Sequence, residues 1–475
     1  MYKHPQLDRY MERREVAIIG AGPAGLTAGY FLAQRNVHST IYEATSDCGG
    51  LGGSVNMWNK DYDIGPHIFL ESSEKAAVEF WKEIGKTDLH SMPLRRGMIL
   101  NRKQLSFPPK PGDLLKALQV KPFCLAAWGF FWSRFGPTKK YTDSGSFFES
   151  RYGRYFRAKV FSPFCLKYLG IPDTEVDKHF ALNLTAFVKQ SGKKEAVPDQ
   201  TKLNTLLFPT GGTKMMWNRI AERYQETGEI TCKKRVVNIG THGNRISTIH
   251  FSDGTTVKPD QVVSTLSLPV LLHVLDVKSE EISHELTHLQ YRNTVLVYLR
   301  INAPAFPFHY ITVFDHSLEA GRITNFNVWT TDANRNVQET VLCIEYWCSG
   351  HEENWTCSKE KMSQKAILEM EQAGICLPNQ VLGVEVVRVP NTHPILSTAH
   401  FASLEKINAF LSRIENLSLA GRHATFKWDG QADNILAGMA LAEKIGTTIK
   451  TNKDPSGAAL DTIETAFFYK PDSGG

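Results

Sequence analysis

The sequence predicts a mixed α/β and α+β chain in two parts: a discontinuous domain built on a parallel sheet, and an inserted domain of antiparallel sheet plus helices. Three observations predict it. The segment VAIIGAGPAGLTAGYFLA, residues 16–33, sets an apolar run, a glycine-rich seam and a helical repeat in succession. Strand signals of similar texture return near residue 230 and again at LSLAGR, from residue 417. Between them lie alternating runs such as NTVLVYLRI and ETVLCIEYW, the period-two pattern of antiparallel strands.

The elements follow in order. Residues 16–19 read as a buried strand, and Ala24, Ala28, Phe31 and Leu32 recur at helical spacing behind it. Residues 37–42 read as a second strand, completing β-α-β. From about residue 76 to 205 the texture is aromatic-rich and punctuated by proline, with helical patches such as EKAAVEFWKEI. One patch there, FCLAAWGFFWSRFG (123–136), reads either as a buried or substrate-channel helix, the favoured reading, or as a monotopic membrane contact; it is too short to span a bilayer. Around residue 230 strands resume, with Asp253-Gly254 as a hairpin turn and 261–264 as another strand. The chain closes on a short strand, a loop and a helix carrying Ile435, Met439 and Ala442 on one face, before a polar tail.

At 475 residues the chain exceeds what one hydrophobic core usually serves. Hydrophobic residues at 42% and charged residues at 22% are ordinary globular usage, and the net charge of +5 is scattered rather than blocked. That excludes a nucleic-acid partner as an expectation. Eight cysteines without a C-x-x-C pair point to reduced thiols rather than disulfides, and no metal site is expected. The leader lacks an apolar core, so a cytoplasmic enzyme with a small-molecule substrate is expected; the oligomeric state is open.

The glycine seam carries the chemistry. In G-x-G-x-x-G, Gly20 permits a tight turn, Gly22 lets the backbone approach a diphosphate, and Gly25 lets the helix pack on the strand. Pro23 and Ala24 open that helix, whose free N–H groups and partial positive charge suit an anion. Glu43, about 20 residues on and followed by Ala44, is placed to accept from ribose hydroxyls, which argues against a 2′-phosphate and leaves NAD or FAD.

A second glycine-rich loop, Gly49-Gly50 and Gly52-Gly53 in YEATSDCGGLGGSVNMW, follows at once. Together the two loops resemble the flavoprotein superfamily of amine oxidases, protoporphyrinogen oxidases and UDP-galactopyranose mutases. The resemblance implies a Rossmann-like FAD-binding domain of the GR2 type, with FAD over the first helix and Gly50, Gly52 and Gly53 beside its diphosphate and ring. Further segments extend it. DYDIGPHIF is similar to the stretch that sets Pro66 and His67 close to the flavin, and KKRVVNI to the strand whose backbone near Val236 brackets the adenine. GRITNFNVW and LAGRHATFKWDGQADNILAG resemble the arginine-bearing segments of the mutase branch. They nominate Arg322 and Arg422, and, at the final helix, Gly421, Asp433, Asn434 and Ile435.

On this basis His67, Arg322 and Arg422 are the catalytic candidates. His67 either bonds flavin or substrate or is a satisfied core histidine; Arg422 either clamps an anion or makes a structural ion pair. Tyr346 and Trp347, in CIEYWC, either line the substrate pocket or belong to the core. Two departures separate the chain from the mutase branch: Lys167-Tyr168-Leu169-Gly170 where relatives tend to read Lys-Val-Trp-Gly, and Ala432-Asp433 where they tend to carry Asp-His. FAD-dependent hydride transfer on a small molecule therefore leads, and mutase-like isomerisation through reduced FAD is the alternative. No cysteine follows Arg422, so noncovalent FAD is expected. NAD(P)H, if it serves as reductant, docks without a second glycine motif of its own. The expected boundaries are 14–75, 206–275 and 415–450 for the FAD-binding domain and 76–205 and 276–414 for the substrate domain, with 1–13 and 451–475 as extensions.

Overall fold

The computed structural model describes residues 15–133, 141–189, 204–329 and 338–451. The expected extensions, apart from residue 451, and residues 134–136 of the aromatic patch lie outside them. Five parallel strands form the first sheet, in spatial order Leu417–Leu419, Gln261–Ser264, Val16–Ile19, Ser39–Tyr42 and Glu229–Thr231. Val16–Ile19 lies at its centre and all four residues are buried, which is why this strand reads as an unbroken apolar run rather than an alternation. The sheet draws on three separated stretches of chain.

Helices cover one face. Pro23–Gln34 packs with Gly212–Gln225 and with Gln431–Thr451, joining Leu26, Leu32, Trp217, Ile220, Ile435 and Ala442 in one core. The contact between the first and last helices is close: a Cβ on Gly438 would lie 2.8 Å from the Ala24 carbonyl oxygen. A three-stranded antiparallel sheet, Val236–His242, Arg245–Phe251 and Thr256–Val257, covers the other face through Ile239, Ile249 and Phe251.

The inserted domain is a seven-stranded sheet, in order Val381–Pro394, Tyr291–Ile301, Thr340–Cys348, Arg322–Asn325, Tyr310–Val313, Arg96–Leu100 and Lys103–Ser106. Its pairs are antiparallel except Tyr310–Val313 with Arg96–Leu100, which run parallel where the two inserted stretches of chain meet.

Two expectations are corrected. Helix Lys75–Gly85, assigned by its place in the chain to the inserted domain, packs Ala77, Phe80, Trp81 and Ile84 into the core of the parallel-sheet domain. Its apolar stripe finds the helical layer there, with Trp81 tilted against Trp217 at 5.3 Å. The aromatic patch forms helix Val120–Trp132, but only Ala126 is buried, so it is neither a core helix nor a channel lining.

Candidate functional site

The site opens at the carboxyl edge of the parallel sheet, where Gly20, Glu43, Thr265 and Gly421 succeed four adjacent strands. The seven-stranded sheet faces it with Thr294, Leu296, Arg322, Glu345, Val389 and Thr392. Between them lies a cavity of about 390 Å³.

The first loop is shaped by two steric demands. Gly20 holds φ of +100°, and a Cβ there would lie 2.1 Å from Thr265 Oγ1. A Cβ on Gly25 would lie 2.0 Å from the Gly20 carbonyl oxygen, so helix Pro23–Gln34 leaves the strand at a distance only glycine allows. Gly22 differs: nothing lies within 4 Å of its would-be Cβ, and the space it faces is cavity. No side chain caps the helix, whose positive end is open. The second loop docks on the first. The Gly49 N–H donates to Ala21 O at 2.8 Å, and a Cβ on Gly50 would come within 3.2 Å of Gly22 Cα. Glu43 is fixed beside them, accepting from the Ala21 N–H (2.8 Å) through Oε2 and from the Thr45 N–H and hydroxyl (2.9 and 2.8 Å) through Oε1.

His67 borders the cavity, yet both ring nitrogens are engaged by protein. Nε2 lies 2.8 Å from Leu51 O, which can only accept, so Nε2 carries a proton. Nδ1 lies 2.9 Å from Thr213 Oγ1, which in turn lies 2.8 Å from Gly52 O. The histidine thus ties the glycine loop to helix Gly212–Gln225. The geometry favours a positioning role over the direct catalytic one. His67→Ala leaves a backbone carbonyl without its donor and is expected to destabilise the protein by about 1–2 kcal/mol, read from its urea midpoint.

Arg322 and Glu345 are direct cross-strand partners. Arg322 Nε and Nη2 donate to the two carboxylate oxygens at 2.6 and 2.7 Å, a bidentate pair in which Glu345 is buried and Arg322 partly exposed. Burial penalises the guanidinium charge, but the Glu345 carboxylate outweighs that and holds Arg322 above its ordinary value. Among the described residues no carboxylate is bonded to Arg422, though Asp429 and Asp433 lie near enough to favour its charge. Its Nε donates to Asp429 O at 2.8 Å and its Nη1 to Thr392 O at 3.3 Å. Burial, helped by the field of Arg322, pushes its value down. Of the two cations, Arg422 is the one not paired directly with a carboxylate.

Three features escaped the sequence reading. Asp429, in the cavity wall, is pushed up to about 6 from 3.8 by burial and by the nearby Asp433 carboxylate. The folded state therefore favours its protonated form, and that contribution is complete below pH 3.8 and lost as pH rises through about 6. Asp429→Asn is expected to match the wild type in stability near pH 4 and to exceed it near pH 8, by up to about 3 kcal/mol, in thermal unfolding of cofactor-free protein. Gln431, first residue of the final helix, is buried in the cavity wall with neither amide oxygen nor amide nitrogen bonded. A buried amide with both ends vacant calls for a ligand partner. Tyr168, Trp428 and His393 form an aromatic wall, with Tyr168 at 5.3 Å from Trp428 and 5.1 Å from His393. Burial, then Arg422, keeps the His393 imidazole neutral by driving its value far down. The aromatic displaced from position 169 thus reaches the cavity from position 168.

Of the residues nominated from sequence, Gly20, Gly22, Pro23, Ala24, Glu43, Gly50, Gly52, Pro66, His67, Arg322, Gly421, Arg422 and Asn434 border the cavity. Gly25, Ala44, Gly53, Val236, Asp433 and Ile435 stand outside its wall. Gly53 closes the second loop through its N–H to Gly50 O, and Ile435 is core. Asp433 Oδ2 accepts from the Gly430 N–H at 2.7 Å, steadying the turn before the final helix. Val236 is buried under Phe251, while Lys234, two residues earlier, donates its N–H to Glu43 O. Tyr346 is a correction: it faces away from the cavity, its hydroxyl donating to Glu369 Oε2 at 3.1 Å. Strand neighbours point to opposite faces, so the Glu345 side chain in the cavity puts Tyr346 on the other side. Trp347 returns to the near face but sits behind the wall, 4.3 Å from Tyr168 and with Arg322 over its ring at 5.9 Å.

Comparison with known proteins adds to this geometry. The family model described as "Flavin containing amine oxidoreductase" matches residues 23–445. Coproporphyrinogen III oxidase of Staphylococcus aureus is 29% identical over 184 residues, covering 35% of this chain and 38% of that protein. The alignment therefore spans well under half of that relative. Among solved structures, reduced UDP-galactopyranose mutase superposes with a TM-score of 0.76 at 16% identity, over 93% of this chain and 96% of the other. A redesigned putrescine oxidase superposes with a TM-score of 0.62 at 14% identity, over 91% and 98%. At these identities the structural likeness speaks to the fold.

Proposed function

This chain belongs to the family of flavin-containing amine oxidoreductases, and on that premise we propose that it exchanges a hydride between noncovalently held FAD and a small organic substrate bearing an acidic group. The observation that carries this reading is the pairing of an empty-sided glycine, Gly22 at an uncapped helix end, with the vacant amide of Gln431 across the cavity. The residues present fit the cofactor. Gly22, Ala24 and the first helix end would hold its diphosphate, Glu43 its ribose hydroxyls, and Gly50 and Gly52 would run beside it. Gln431 offers one donor and one acceptor to a heterocycle edge, with the positive end of the final helix behind it. Bound there, FAD supplies the two-electron chemistry, so the protein is left to position, shield and move protons.

Arg422 is the seat for the acidic group, because it borders the cavity and its hydrogen bonds go to main-chain oxygens rather than to a carboxylate. Tyr168 and Trp428 shape an apolar wall that excludes water from the reacting bond. Asp429, poised near pH 6, is placed to take a proton from the substrate or return it. The test is anaerobic titration of the purified holoprotein with amines, porphyrinogens and hydroxy acids. A substrate bleaches the visible band of oxidised flavin, and Arg422→Met raises KM for acidic substrates more than for neutral ones. If every candidate leaves the oxidised spectrum intact, the reading fails.

A second reading is mutase-like isomerisation of a sugar nucleotide by the reduced enzyme, with NAD(P)H as one source of reduction. The charge of Arg422, unpaired by any direct carboxylate bond among the described residues, favours it, since a diphosphate would suit that cation equally. It requires prior reduction and consumes no oxidant, and the same titration separates the two.

A further inference from the structure

Helix Val120–Trp132 presents its large apolar side chains to solvent: Val120 is 69% exposed, Leu125 52%, Trp128 64%, Phe131 55% and Trp132 52%. Isolated exposed apolar residues are ordinary, but a contiguous face of five on one helix is not. The helix is not loosely attached. Ala126 is buried, and its Gly129 packs on Gly153 so tightly that a Cβ on Gly153 would lie 2.4 Å from the Gly129 carbonyl carbon. Ser133 Oγ donates to Phe130 O and Arg151 O, fastening its end to helix Ser144–Phe156. The inner face is therefore fixed, and the outer face stays apolar: Trp128 and Trp132 meet edge to face at 5.5 Å, covering one another but not leaving solvent.

The helix and the segment leading into it are basic. Between residues 101 and 133 the sequence holds five lysines and arginines against a single acid, Asp113, while the whole chain nets only +5. Lys110, Lys116 and Lys121, at the ends of helices Pro111–Leu118 and Val120–Trp132, are exposed. Tryptophan, phenylalanine and leucine flanked by lysine is the composition of a helix lying in the boundary between headgroups and acyl chains. The basic surround disfavours a second copy of the same face, because a two-fold contact would oppose like charges.

We propose that helix Val120–Trp132 docks this protein on the surface of an anionic lipid bilayer, with Trp128, Phe131 and Trp132 inserted at the headgroup level and the lysines on lipid phosphates. The docking is monotopic: among the described residues no helix is long and apolar enough to cross a membrane. It does not rest on the proposed reaction.

Cosedimentation of the full-length holoprotein with vesicles tests it, using phosphatidylcholine alone and equimolar phosphatidylcholine and phosphatidylglycerol. The protein binds the anionic vesicles, and added salt weakens binding. A Trp128→Glu/Phe131→Glu variant, with unchanged flavin content and melting temperature, loses binding by about tenfold or more. A Lys116→Glu/Lys121→Glu variant loses about tenfold on anionic vesicles only. The proposal is overturned if neither vesicle binds, or if Trp128→Glu/Phe131→Glu binds like wild type. Concentration-dependent self-association abolished by that variant also overturns it, and gives the face to a second copy.

Discussion

Gly25→Ala lowers stability by about 3 kcal/mol and leaves the purified protein unable to retain FAD. The new methyl would sit 2.0 Å from the Gly20 carbonyl oxygen, a backbone atom that cannot rotate away. Either the first helix tilts off the sheet or the Gly20 turn opens. Both disturb the core that Leu26, Leu32 and Ile435 share. Both also move the helix end from the second glycine loop, whose Gly49 N–H is bonded to Ala21 O. Denaturant unfolding of cofactor-free protein measures the first effect and the visible spectrum after purification the second. A variant as stable and as yellow as the wild type would show that the strand-to-helix contact is not as close as described.

Glu345→Ala is expected to cost about 3–5 kcal/mol, more than deletion of a surface carboxylate could. Glu345 is buried and takes two of the donors of Arg322 on the adjacent strand, so its removal strands a guanidinium among Tyr310, Trp347 and Tyr168. The double variant Glu345→Ala/Arg322→Met removes the stranded charge and is expected to recover much of the loss, a coupling measured by a double-mutant cycle on unfolding free energies. Equal losses in single and double variants would mean that Glu345 matters for volume rather than charge. The pair also bears on the proposed function: Arg322 is already paired with Glu345, so that reading assigns a substrate anion to Arg422.

What was legible from sequence was what local spacing encodes. The apolar strand, the three glycines and Glu43 lie within 28 residues, and Gly20 and Gly25 have the tight contacts their positions imply. The three-part construction of the parallel sheet was also readable, because each return carries its own strand signal. The site's remaining properties come from burial, which spacing does not carry. Asp429 is an ordinary loop aspartate in sequence, and its raised value arises from the cavity wall and from Asp433. Gln431 has one local signal, its place at the start of the last helix, but its vacant amide is a fact of packing.

Tyr346 shows a different failure. All nine residues of Thr340–Cys348 are buried on one face or the other, so the apolar pattern gives no phase to say which residues face the cavity. Helix Val120–Trp132 inverts a rule: a helix apolar all round is usually buried, and this one is exposed. Boundary errors have the same origin, since Lys75–Gly85 belongs by sequence position to one domain and by its apolar stripe to the other.

The central claim is that the diphosphate of FAD rests on the open end of the first helix beside Gly22. Titration of cofactor-free Gly22→Val with FAD, alongside its thermal unfolding, addresses it most directly, because nothing lies within 4 Å of a Cβ at Gly22. Without cofactor the melting temperature is expected to be unchanged, while the FAD dissociation constant weakens by about a hundredfold, near 3 kcal/mol. An unaltered affinity for FAD would contradict it.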